Sequence, residues 1–150
     1  MKCSELEIDV ILTSIDFIKM EKGFLADETL ENLNTENISW EEIYFKNSEV
    51  SEALFQDWIS KRKSPVSLKL NLDNPKTCLL QLADYKKYFD NPEHKWHSFF
   101  QISRPGISAD ELKAIIQITA KSPSGTPNYS SLLYLEKTIH FWNVISVHSF

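Results

Sequence analysis

The sequence predicts an α+β fold in which N-terminal helices pack on one face of an antiparallel β-sheet. Three observations lead there. Apolar residues recur at helical spacing over the first 64 positions, they alternate with polar ones from Val66, and proline, glycine and serine cluster where a C-terminal strand meander would turn. A length of 150 residues suits one domain, and 42% apolar with 12% aromatic residues supplies a core. The organisation expected is a single domain over 1–150, with a helical part over about 1–64 and a mainly β part over about 65–150.

Ser4 with Glu7 reads as a capping box, and Ile8, Ile11, Leu12, Ile15 and Ile18 follow at helical spacing until Gly23 offers a left-handed stop. Leu25 to Leu33 suits either a strand or a helix. Ser39 and Glu42 suggest a short capped helix carrying Trp40, Ile43 and Tyr44. A further helix is expected from Ser48, with Val50, Leu54, Phe55, Trp58 and Ile59 inward and Lys61, Arg62 and Lys63 complementing its negative end before Pro65 stops it.

The period then changes. Val66, Leu68, Leu70 and Leu72 alternate with polar neighbours as in a half-buried strand, Cys78 to Leu82 extends the sheet, and Asn91-Pro92 begins a short helix. Phe99 to Ser103, Leu112 to Ala120, Tyr129 to Glu136 and Ile139 to His148 make the meander. Pro105-Gly106 suits the centre of a type II turn, and the last two strands form a hairpin turning near Lys137-Thr138.

Charge and motifs exclude several functions. With 21 acidic against 16 basic residues the formal charge is -5, which disfavours nucleic acid as the main partner. Residues 1–75 hold 15 acids against 8 bases, net -7, while residues 76–150 hold 6 against 8, net +2. Glu36, Glu41, Glu42, Glu49 and Glu52 belong to this acidic helical half, a face suited to steering a basic partner. Its plainer reading is a solvated helical surface. Basic and aromatic residues interleave once, at Tyr85-Lys86-Lys87-Tyr88-Phe89, where a helix with the rings inward explains them better than a phosphate patch.

Three glycines make no P-loop or dinucleotide fingerprint, no serine sits in a Gly-x-Ser-x-Gly elbow, and no carboxylate pair marks a general acid and base, so no catalytic residue is assigned. Cys3 and Cys78 form no Cys-x-x-Cys pair, and His94 and His97 at i, i+3 lack a third ligand, so neither metal nor cofactor is expected. His140 and His148 share strand parity with Trp142, Val144 and Ser146 but stand about 27 Å apart along an extended strand. Acidic residues interrupt the first ten positions and no long apolar stretch follows, which points to the cytoplasm; a removed leader before Cys3 would instead make it the lipid-bearing residue of a lipoprotein.

The stretch Trp96-His97-Ser98-Phe99-Phe100-Gln101-Ile102-Ser103-Arg104-Pro105-Gly106 resembles the signature of a group of small bacterial proteins of unknown function. Those proteins have Trp-x-x-Phe, then Ser-Arg-Pro-Gly or Ser-Arg-Val-Gly before a long strand, and later a Leu-Glu-Lys strand end and a final strand with tryptophan. Leu135-Glu136-Lys137 and Trp142 keep that order. Where the group often carries a glycine-rich or cysteine-containing loop, this chain has Ser122 to Pro127. The likeness covers the last third, supports the fold, transfers no activity and singles out Ser103 and Arg104.

Two functions are therefore expected in order. The first is a non-enzymatic protein-binding or inhibitory module of bacterial type, for example an immunity protein that neutralises a basic toxin through the acidic face. The alternative is a small-molecule-binding or enzymatic domain whose pocket, between helices and curved sheet, is lined by Arg104, Ser103, His97 and Trp142. Pairing of an uncovered edge strand with a second copy is a third.

Overall fold

The computed structural model of the chain describes residues 11, 23–26, 29, 50–62, 64, 66–67, 77–81, 87, 90–92, 98–121, 129–139 and 141–149. Within them lie a helix, α1 (Glu52–Arg62), and seven strands: β1 (Gly23–Ala26), β2 (Thr77–Leu80), β3 (Ser98–Ile102), β4 (Gly106–Ile107), β5 (Lys113–Lys121), β6 (Tyr129–Lys137) and β7 (Trp142–Ser149). The sheet order is β2-β1-β3-β5-β6-β7, with β4 paired to β5 off that path. Strands β3 to β7 form an antiparallel five-stranded part; four of them are the expected meander, and the short β4 stands where Pro105-Gly106 suggested a turn. Strand β1 instead pairs parallel with both β2 and β3, so the sheet is mixed, and a strand stands within the mainly helical part, running into the Leu25 to Leu33 stretch that suits either element. Gly23-Phe24-Leu25-Ala26 is too short to display a period, and parallel partners reached through long crossovers leave no local turn signal. The expected helices over 8–18 and 39–44 and the strand over 68–72 fall outside the described residues, apart from Ile11, which is helical and fully buried.

Helix α1 begins three residues later than its first serine suggests. Ser51 is the cap: its hydroxyl accepts the Leu54 amide at 3.1 Å and its carbonyl accepts the Phe55 amide at 3.1 Å. Val50 and Phe55, just outside and one turn inside the cap, lie in the same apolar cluster, as a hydrophobic staple does. Glu52 in the first turn complements the helix dipole, and Asp57 pairs with Lys61 at 2.7 Å one turn on.

The central strands β5 and β6 carry buried residues on both faces. Ala114, Ile116, Ile118 and Ala120 of β5 join Phe100, Ile102, Leu133, Leu135, Trp142 and Ile11 on one side. On the other side, Ile115 joins Leu132 and Tyr134 beneath Val50, Leu54, Phe55 and Trp58. The near-continuous apolar run of β5 is the sequence mark of a strand covered on both faces. A second tie brings the chain before β2 onto the structure: the Thr29 amide donates to the Val66 carbonyl at 3.0 Å and the Val66 amide to Thr29 Oγ1 at 2.9 Å.

The last hairpin turns later than expected. Strand β6 runs to Lys137, the Thr138 amide donates to the Phe141 carbonyl at 2.8 Å, and β7 begins at Trp142. Its register then slips: Leu135 faces Val144 but Tyr134 faces Ser146, leaving Ile145 as an extra residue. The slip reverses parity, so Ser146 and His148 lie on the α1 side, while Trp142 and Val144 face the opposite core. The shared face expected for these four is thus broken by one residue that alternation alone cannot reveal.

Gly106 explains how closely α1 approaches the sheet. It does not take a left-handed conformation, so the expected type II turn is absent; its role is proximity. A Cβ at this position would stand 2.6 Å from Trp58 Cβ and 2.7 and 2.8 Å from Trp58 N and Cα. Backbone atoms cannot rotate aside. Gly106→Ala is expected to destabilise the protein by about 2–3 kcal/mol, read as a lower urea midpoint at unchanged slope.

Candidate functional site

Four consecutive residues, Ser103 to Gly106, meet α1 and its exit. The buried Ser103 hydroxyl accepts two hydrogen bonds at 2.9 Å, from Trp58 Nε1 and from the Gln117 amide, while the Ser103 amide donates to the Gln117 carbonyl at 2.9 Å. Arg104 donates from Nη1 to the Ser64 carbonyl at 3.1 Å, capping the chain as it leaves the helix. Pro105 is buried, and Gly106 abuts Trp58. Beyond it, Asp57 Oδ2 accepts the Ile107 amide at 2.8 Å as well as the Lys61 ammonium. This constellation joins a helix to a sheet. The Ser103 hydroxyl, the Trp58 indole and the Asp57 carboxylate are spent on the chain itself, and a carbonyl rather than an acid holds Arg104 through Nη1, while its buried Nε has no partner among the described residues.

The structure separates the residues expected to line one pocket. Ser103 and Arg104 stand with Trp58 on the α1 side; Trp142 is buried in the cluster on the opposite side, with Lys137 Nζ 5.7 Å from its ring centroid. His97 lies outside the described residues, as do His94, His140, Glu36, Glu41, Glu42 and Glu49. Glu52 is exposed at the start of α1, and Lys87 is helical and exposed. Among the described residues, no group of three or more histidines, cysteines or carboxylates could hold a metal ion, and no helix is long and apolar enough to cross a membrane.

A second region stands out at the end of the sheet where two turns meet. A shallow cleft of about 470 Å³, open to solvent, is lined by Asp110, Glu111 and Leu112 from the β4–β5 turn and by Lys137, Thr138 and Ile139 from the β6–β7 turn. The Lys137 amide bonds the Leu112 carbonyl at 2.8 Å, which fixes the two turns side by side. The first turn is tightly built. The Ser108 hydroxyl donates to Asp110 Oδ1, which also accepts the Leu112 amide at 3.0 Å, and the Lys113 amide donates to Ser108 Oγ at 3.0 Å. Glu111 takes φ of 62°, a left-handed conformation uncommon outside glycine and asparagine. Leu112, Ile139 and Phe141 are exposed, Ile139 to 89%.

Sequence reasoning places Ile139 within a strand and Leu112 on a core face, and so misses this apolar tip. The available signal was Thr138 with Asn143, whose side chains bond each other at 3.3 Å and mark a longer turn.

Comparison with family models, with curated proteins and with solved structures returns no match. The likeness of Trp96 to Gly106 to a bacterial group therefore stands on those residues alone.

Two outcomes follow from the geometry. Ser103→Ala removes the acceptor of two buried donors and is expected to cost about 2 kcal/mol in denaturant unfolding. The hydrogen bond from Ser108, then the Leu112 amide and the Lys113 charge, hold the Asp110 carboxyl below the ordinary carboxylate range. Because the folded value is the lower one, the ionised form supports the turn above the unfolded-state pKa, and that support is lost as pH falls through the folded value. An NMR titration should find the Asp110 midpoint depressed, and Ser108→Ala should raise it.

Proposed function

We propose that the protein is a non-enzymatic protein-binding module that docks its partner on the apolar tip of the sheet. The observation that carries this reading is the exposure of Leu112, Ile139 and Phe141 beside a rim of Asp110, Glu111 and Lys137. An apolar centre with a charged rim is the anatomy of a protein interface. The cleft has the volume of a small-ligand site, but its openness suits a partner's side chain better than an enclosed metabolite.

A basic partner fits the charge. The first half of the chain is net -7, and Glu36, Glu41, Glu42, Glu49 and Glu52 would steer such a partner while the tip supplies contact area. An immunity protein neutralising a basic toxin in the bacterial cytoplasm is the concrete form of this proposal. It takes the chain as one α+β domain whose helices over about 1–64 shield the sheet.

The test is calorimetric titration with a basic protein encoded beside its gene. Binding should weaken as salt rises, and Ile139→Asp, at a site too exposed to affect folding, should weaken it at least about tenfold. No binding at low salt, or full affinity in that variant, overturns the reading.

A further inference from the structure

We propose that the edge strand β7 pairs antiparallel with β7 of a second copy, giving a weak symmetric dimer. The proposal concerns the edge and is independent of the tip.

Among the described residues strand β7 ends the sheet, and its neighbour on the inner side is β6. Along Asn143 to Val147 the sequence is Asn-Val-Ile-Ser-Val, with no lysine, glutamate, aspartate or proline, the residues that ordinarily keep an edge from pairing. Val144, Ile145 and Val147 are 37, 47 and 54% exposed. The core beneath runs outward onto this strand: Leu133 and Leu135 are buried, and their cross-strand partners are Val147 and Val144. Apolar surface thus continues to the edge.

The bulge selects the occupant. The slip at Ile145 puts Val144 and Val147 on the same face with two residues between them, where a regular strand would have one or three. A straight foreign strand meets that spacing out of register. A second β7 related by a two-fold axis normal to the sheet sets Val144 against the other copy's Val147, and Val147 against its Val144. The two intervening residues of each copy then face one another. One extra residue in each strand restores the match, and this surface is its own complement. The net charge of -5 does not oppose it locally, since no ionised carboxylate or ammonium lies in the stretch. The three exposed side chains amount to roughly 500 Å² over both copies, and even with the backbone the interface stays below the roughly 1,200 Å² of stable specific pairs, so the dimer is weak and transient.

Sedimentation equilibrium from low to high micromolar concentration tests this. The mass should rise from 17.4 kDa toward twice that value. Amides of Asn143 to Val147 should exchange more slowly as concentration increases. Ile145→Lys, which sets like charges close to the two-fold axis, should weaken the dimer at least about tenfold with its unfolding midpoint retained, and Val147→Lys should do the same. A monomer at every concentration overturns the proposal. So does a dimer that survives both substitutions, since its interface must lie elsewhere.

Discussion

The approach of α1 to β4 sets the rest of the structure, and it depends on a residue without a side chain. With Gly106 against the Trp58 backbone, the helix lies close enough for three further bonds. Asp57 reaches the Ile107 amide, the Trp58 indole reaches Ser103 Oγ, and Arg104 reaches the Ser64 carbonyl. Hydrogen bonds of 2.8 to 3.1 Å tolerate only a small displacement before they weaken, so lifting the helix by one methyl group would strain all of them together. The ties are coupled through one distance.

Covering both faces of β5 imposes a demand that one helix cannot meet. Helix α1 covers Ile115, Leu132 and Tyr134, while the opposite cluster draws in Ile11 and packs against Val66. Thr29 and Val66 are joined by reciprocal bonds, so sequence on either side of α1 is brought together. The α1 side of the sheet also carries polar residues at buried positions, Gln101, Gln117 and His148, with Thr119 and Ser130 bonding side chain to side chain at 2.8 Å. Thr119 and Ser130 face each other across β5 and β6, so a slip in register would part their hydroxyls and favours the observed arrangement of the strands.

Much of the antiparallel part is legible in the sequence, because each strand there spans several residues and its turns contain residues with a local mechanism. The inward set about α1 is equally legible: Val50, Leu54, Phe55 and Trp58 are buried, and Ile59 is partly buried against the same cluster. What escapes is information held between distant residues. Gly106 reads as a turn glycine, since nothing local announces Trp58 against it. Arg104 invites an anionic ligand, since a carbonyl forty residues earlier leaves no charge signature. The parallel pairing of β1 depends on Thr77 and Ser98, beyond any window that periodicity can use. The bonds that Ser103 and Arg104 make in the structure run to Trp58, Gln117 and Ser64, residues remote in sequence.

The bulge at Ile145 shows how one residue can divide a strand into two environments. Before it, Trp142 is buried in the core and lies beside the Lys137 ammonium; after it, His148 is buried on the α1 side. Without the extra residue, regular alternation from Trp142 would send His148 into the apolar cluster around Leu133 and Leu135, where an imidazole would be poorly matched. With it, both large side chains of one strand are buried in different layers.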